Sequence, residues 1–376
     1  MSDSFAATAA ARHFQIQGQP LSVVPYGTGH INDTYCALFD EAGLQSRFIL
    51  QRIHTGIFRN PAALMENIQR VTAHLAAQLS GQSDPSHRSD PSHRSDFDRR
   101  VLTLIAARDG RVWHQDTDGG YWRMYRFIDR AHTYDTVTSV EQAYQAARAF
   151  GQFQRMLVNL PAPRLHDTIP DFHNTPMRFK MFEKALAADV ANRALAAQAE
   201  IEFALAHQSI VSVLLDAGLP ERVTHNDTKF NNVLFDDATG EGICVLDLDT
   251  VMPGLSLYDF GDMVRTATSP ADEDEQDLSI VNMQFPMFEA LLRGYLSAAG
   301  SFLTAAEKQY LGFAGKLITF EQGIRFLTDY LAGDTYYKVY REGQNLDRCR
   351  TQFRLIQSVE EQEEEMQRLV DELAHE

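Results

Sequence analysis

Polar and apolar positions alternate in the early part of the chain. Leu21 to Pro25, Thr34 to Phe39 and Arg47 to Ile53 are three such runs, rich in β-formers and bounded by turn residues. They predict strands of one antiparallel sheet. The loop Tyr26-Gly27-Thr28-Gly29-His30-Ile31-Asn32-Asp33 joins the first two. The period then changes: Leu64, Ile68, Val71 and Leu75 fall at helical spacing and predict a helix over Pro61 to Leu79. Strand patterns resume at Val101 to Leu104 and at Tyr121 to Ile128. From Thr138 the spacing of Tyr144, Ala147, Phe150 and Leu157 is helical, and Thr138 with Glu141 makes a capping-box pattern before it. Helical spacing dominates from there to the C-terminus, apart from a short β region near residues 222 to 248. A β-rich first third and a helix-rich remainder predict an α+β chain of two lobes, 1–128 and 129–376, with a cleft between them.

Two segments stand outside this pattern. Ser83-Asp84-Pro85-Ser86-His87-Arg88 recurs as Ser89-Asp90-Pro91-Ser92-His93-Arg94 with no large apolar residue to dock, so the tandem repeat predicts a disordered surface loop. Glu360 to Glu376 is strongly acidic with a helical pattern and predicts a solvated terminal helix.

Composition narrows the function classes. A net charge of −17, from 34 basic and 51 acidic residues, makes nucleic acid and anionic membranes poor partners. Cys36, Cys244 and Cys349 lie far apart with no paired spacing, which argues against a disulfide framework or a zinc site and suits a reducing cytoplasm. The start, Met1 to Ala11, lacks a basic stretch followed by an apolar core, so no signal peptide is expected. No apolar run is long enough to span a bilayer.

The chemistry concentrates in Val223 to Phe235, which contains His225-Asn226-Asp227-Thr228-Lys229-Phe230-Asn231-Asn232, a His-x-Asp-x-x-x-x-Asn array followed by a short apolar strand. The turn Asp236 to Gly242 leads into a second strand, Ile243 to Leu246, ending at Asp247. A hairpin of this kind returns Asp247 to the side of Asn232. That arrangement suits phosphoryl transfer from magnesium ATP. Asn232 and Asp247 would hold the cation, a hard ion that takes oxygen ligands. Asp227 would orient the attacking hydroxyl and accept its proton. Lys229 would reach the transferred phosphoryl group as a point charge. His225 reads as a structural hydrogen-bonding residue.

The segment resembles the catalytic loop of the protein-kinase-like superfamily, in its aminoglycoside phosphotransferase and choline kinase branch. Val245 to Asp262 resembles that branch's metal-binding segment. Asp259-Phe260-Gly261 falls too late to be a protein kinase's metal ligand, and by the resemblance Asp259 is structural, holding the catalytic loop. Tyr26 to Tyr35, Thr224 to Asn232 and Gly323 to Asp334 together are similar to the bacterial N-acetylhexosamine 1-kinases, over nearly the whole chain except the tandem repeat. The resemblance implies a two-lobed protein-kinase-like fold, with a small antiparallel β-rich N-lobe and a larger helical C-lobe. It also implies phosphorylation of the anomeric hydroxyl of an amino sugar by ATP, in a monomer or weak homodimer. Aminoglycosides and choline-type amino alcohols are the alternative acceptors, and the run Asp272 to Glu275 with Asp277 is a candidate source of carboxylates for them.

At the nucleotide end, Gly27 and Gly29 are either a plain turn or the backbone cradle of a phosphate. Strand Leu50-Gln51-Arg52-Ile53 stands where such kinases place a phosphate-binding lysine, and no lysine is there. Arg52 either substitutes or is a solvated strand residue. The resemblance places the adenine hinge around Tyr125 and Phe127. It maps Arg325, Tyr336 and His30 onto the sugar, and Arg325 has the alternative of pairing with Glu321.

Overall fold

The structure, a computed structural model, describes residues 2–27, 31–82 and 98–374. Gly29, His30 and the tandem repeat lie outside the described residues. Helix α1 (Ser2–Ala11) leads into strands β1 (Gln19–Pro25), β2 (Asp33–Glu41) and β3 (Leu44–Ile53). Helix α2 (Pro61–Gln82) and strands β4 (His114–Gln115) and β5 (Tyr121–Arg126) follow. The five strands form one antiparallel sheet in the order β1-β2-β3-β5-β4.

Alternation divides this sheet into two faces. Phe48, Leu50, Trp122 and Met124 bury one face with Ala7, Ala10 and Ala11 of α1, a helix that the sequence pattern did not predict. Ile49 and Gln51 of β3 lie opposite Tyr125 and Arg123 of β5, so these four share the other face.

The run Val101 to Leu104 forms no strand. It follows β5 irregularly, through a single bridge of Leu104 with Tyr125 and a 2.9 Å bond from the Arg126 amide to the Thr103 carbonyl.

The second lobe is mainly helical. It opens with β6 (Ala131–His132), α3 (Val140–Leu157), α4 (Thr175–Ala188), α5 (Gln198–Ala206) and the one-turn α6 (Val213–Asp216). Short strands β7 (Arg222–Thr224), β8 (Val233–Asp236), β9 (Gly242–Val245) and β10 (Met252–Gly254) come next. The chain ends in α7 (Ser256–Ala267), α8 (Phe285–Ala299), α9 (Ala305–Gln309), α10 (Leu311–Leu331), α11 (Gln344–Glu361) and α12 (Glu363–Ala374).

Helix α3 starts one residue later than the capping pattern suggests. Ser139 is its N-cap and accepts the Gln142 amide at 3.2 Å, while Gln142 rather than Glu141 reaches back to the Thr138 amide at 2.9 Å.

Helices α3 and α8 pack almost backbone to backbone. A Cβ added at Gly294 would meet the Tyr144 carbonyl at 2.2 Å, and one at Gly151 would meet that of Tyr295 at 2.9 Å. Phe260 is fully buried against the Phe288 and Tyr295 rings, and truncating such a side chain costs about 3–5 kcal/mol.

The acidic terminus is docked rather than solvated: Met366, Leu369 and Val370 are buried, and Lys316 holds Glu363 at 2.8 Å. Its charges line the outer face while the apolar stripe joins the core. Among the described residues no helix is long and apolar enough to cross a membrane.

Candidate active site

Strands β7 and β10 pair side by side, as do β8 and β9, and the loop 225–232 runs between β7 and β8. Val233 lies opposite Val245, and the Leu246 amide donates to the Asn232 carbonyl at 2.8 Å. The hairpin thereby brings the chain leading to Asp247 beside Asn232.

The loop is tied down from below. The Asp259 carboxylate, at the buried start of α7, accepts the His225 amide at 2.9 Å, the Asn226 amide at 2.7 Å and the Gln154 side chain at 2.6 Å. Asp262, one turn on, accepts the Thr228 amide at 2.8 Å. His225 donates from Nε2 to the Leu246 carbonyl at 2.8 Å and accepts the Asp227 amide on Nδ1 at 3.3 Å, so both ring nitrogens are committed to the backbone of the site. Its ring meets Phe150 and Phe153 edge-on.

Two side-chain-bearing residues of the site have left-handed backbones: Asn226 at φ 66° and Asp247 at φ 52°. Such geometry costs of order 1–3 kcal/mol and persists only where neighbours enforce it. For Asn226 the enforcing contacts are its amide bonds to the Thr250 carbonyl at 2.9 Å and the Thr224 carbonyl at 3.3 Å.

At the tip, the Lys229 ammonium lies 3.0 Å from one oxygen of Asp227 and 3.3 Å from the other. Burial pushes the Asp227 carboxyl up, but Lys229, with His225 and Arg265, outweighs it and the net shift is downward, so Asp227 is ionised. Asn232 donates its side-chain amide to the Asp227 carbonyl at 2.8 Å, and its own amide oxygen has no hydrogen bond among the described residues. The Asp247 carboxylate has no hydrogen-bond partner among the described residues. It remains open to solvent at the cleft floor while protein crowds its other sides. That burial, then the carboxylates of Asp249 and Asp227, push its pKa up to about 6.

Asp249 is the reverse case, with both oxygens occupied: Arg123 of β5 takes one, and the Asn32 side chain donates to the other at 2.6 Å. Periodicity accounts for which arginine arrives. Arg52 shares the outer face with Trp122, its guanidinium 5.8 Å from that ring, whereas Arg123 shares the cleft face with Gln51 and donates to it at 2.9 Å.

The other candidate residues are spread more widely. Gly27 has φ 77°, with nothing within 4 Å of a Cβ placed on it. Tyr125 is buried beneath Arg123, while Phe127 is half-buried, with Arg47 4.0 Å over its ring and Tyr26 at its edge. Arg325 does not pair with Glu321, which bonds His173 at 2.8 Å and Thr175 at 2.6 Å. Instead Arg325 bonds Gln322 at 2.9 Å and lies 5.2 Å from the Phe172 ring and 5.8 Å from that of Tyr337. Tyr336 is 61% exposed and meets Tyr337 edge-on.

Sequence reasoning missed Arg123, Asn32 and the His173–Glu321 pair. The parity of β5 against β3 would have separated Arg123 from Arg52. Nothing local joins His173 to Glu321 across 148 residues.

A small antiparallel sheet over a helical lobe, with this loop and hairpin at the junction, is the protein-kinase-like fold. The chain belongs to the phosphotransferase enzyme family, whose profile matches residues 22–300. Among solved structures it is similar to the microcompartment-associated aminopropanol kinase (16% identity, TM-score 0.56, covering 97% of this chain and 99% of that one). It is also similar to an aminoglycoside phosphotransferase from Alicyclobacillus acidocaldarius (10%, TM-score 0.56, 98% and 96%). A choline kinase from Cryptosporidium parvum matches as well (13%, TM-score 0.51, 94% and 93%). At these identities the likeness is one of fold.

Proposed function

We propose that this chain transfers the γ-phosphoryl group of ATP to the anomeric hydroxyl of an N-acetylhexosamine, with the nucleotide held between the lobe 1–128 and the lobe 129–376. The observation that carries the kinase reading is the ionised Asp227 beside Lys229 on a loop fixed from below by Asp259 and Asp262. Asp227 orients the sugar hydroxyl and takes its proton; an anomeric hydroxyl is more acidic than other sugar hydroxyls, so a carboxylate suffices. Lys229 exchanges its bond to Asp227 for the transferred phosphoryl oxygens.

The donor set fits magnesium. The Asn232 amide oxygen and the Asp247 carboxylate are both without hydrogen-bond partners among the described residues, and a carboxylate crowded by two others favours a cation beside it. When bound, magnesium supplies charge neutralisation on the phosphate oxygens.

The acceptor reading rests on the far end of the cleft. Among the described residues Arg325 and Arg178 have no carboxylate partner, and they lie close enough that Arg325 helps push the Arg178 pKa down, after burial. Arg178 donates to the Phe172 carbonyl at 2.9 Å. Guanidinium donors with no carboxylate partner among the described residues, beside Phe172 and Tyr337, suit sugar hydroxyls and an acetamide oxygen. They oppose an ammonium-bearing acceptor.

The acidic run offered for such an acceptor has other partners. Glu273 pairs with Arg265 at 3.1 Å, Asp274 with Arg341 at 3.2 Å, and Asp277 caps its own turn through Ser279 at 2.6 Å.

A phosphorylation screen of free hexosamines, their 1-O-methyl glycosides, kanamycin and choline tests the reading. N-acetylglucosamine or N-acetylgalactosamine should be phosphorylated at the anomeric oxygen, and the methyl glycosides should be inert. Preferred turnover of kanamycin or choline, or a phosphate on the 6-hydroxyl, contradicts the acceptor assignment.

A further inference from the structure

We propose that Arg123, acting through Asp249, is a positioning residue: it couples the small sheet to the metal-binding segment and holds Asp247 facing Asn232. The proposal rests on the magnesium-nucleotide reading of Asp247 and Asn232 given above.

Side chains from β2, β3 and β5 and from Asn32 just before β2 form a network beneath Asp249. Arg123 (β5) pairs with one of its oxygens and also donates to Gln51 (β3) at 2.9 Å. Asn32, at the entry to β2, donates to the other oxygen at 2.6 Å and accepts the His54 amide at 2.9 Å. Gln51 in turn donates to Thr34 (β2) at 3.0 Å. On the other side, Thr168 donates to the Asp249 carbonyl at 2.9 Å.

The Arg123 and Asp249 side chains are 1% and 4% exposed, so the pair sits in the molecule's interior although its members are 126 residues apart. Buried ion pairs contribute little to stability over apolar substitutes, and their better-attested use is to fix register. Here the register fixed is that of the Leu248–Thr250 turn, whose first flanking residue is the left-handed Asp247. Asp247 has no side-chain bond among the described residues to define its direction, so its aim depends on how the turn is anchored.

The test uses the full chain and reads binding, with turnover as a second measure. Calorimetry at a series of magnesium concentrations gives the magnesium requirement for binding a non-hydrolysable ATP analogue. Thermal unfolding without nucleotide gives stability. Arg123→Met and Asp249→Leu each leave one buried charge unpaired and should lower the unfolding midpoint. The double variant should restore that midpoint, yet need about tenfold more magnesium to bind the analogue. Arg123→Lys keeps the charge but loses the planar fork, and it should fold normally with a raised magnesium requirement.

A double variant, or an Arg123→Lys variant if the double fails to fold, with the parent's magnesium requirement overturns the proposal and leaves the pair merely structural. A raised requirement confined to Asp249→Leu overturns it too. A parent that binds the magnesium analogue but phosphorylates no sugar defeats the acceptor reading alone; one that binds no magnesium nucleotide defeats both.

Discussion

Lys229 closes on Asp227 from two residues away, its ammonium 3.0 Å from one carboxylate oxygen and 3.3 Å from the other. The proposed general base and the nearest cation of its loop are thus one ion pair in the structure. Lys229 is half-exposed, so the pair contributes little to folding. In the proposed mechanism its value lies in holding a positive charge where the phosphoryl group would pass.

Lys229→Met should therefore lower kcat by about a hundredfold, in line with the loss of one preorganised charge, while leaving the unfolding midpoint near the parent's. Steady-state rates at saturating magnesium ATP, together with a melting curve, check this. An unchanged kcat removes Lys229 from the mechanism.

His173 and Glu321 give the loop a pH-dependent support. The imidazole faces the Glu321 carboxylate at 2.8 Å and the Asn226 carbonyl at 3.1 Å, two acceptors that both want a proton. Burial lowers the His173 pKa, but Glu321 overrides it and the net shift is upward. Burial raises the Glu321 pKa, but His173 overrides that and the net shift is downward. The His173 contribution is full below the ordinary imidazole pKa and lost as pH rises through the higher folded value. The Glu321 contribution is full above the ordinary carboxyl pKa and lost as pH falls through the lower folded value. The pair is strongest between those two ordinary values, about pH 4.5 to 6.5. Denaturant unfolding of the parent and of His173→Gln/Glu321→Gln should show a stability gap near pH 6 that narrows as pH rises well above the ordinary imidazole value. A gap of constant size contradicts the ion pair.

Much of this arrangement could be read from the chain. The alternation of β1 to β3 and the helical spacing of α2 and α3 are local, and the Asp227 to Asn232 array is contiguous. What escaped reading is partly nonlocal and partly a matter of competing local signals. The capping pattern at Thr138 was off by one because Ser139 and Gln142 compete for the same geometry. Val101 to Leu104 has strand composition, yet it follows β5 through one bridge and a few backbone bonds. The terminal acidic helix looked solvated because its charge count hid the stripe Met366, Leu369 and Val370. Arg123 is not singled out by the sequence because only the pairing of β3 with β5 shows which face it takes.

The proposed mechanism stands or falls on Asp227 as proton acceptor. Asp227→Asn keeps the shape and removes the basic oxygen. The most direct test measures kcat for N-acetylhexosamine phosphorylation alongside the dissociation constant of magnesium ATP. The expected outcome is a fall in kcat of about a thousandfold or more, with nucleotide affinity within about threefold of the parent. Near-parental turnover in Asp227→Asn contradicts it.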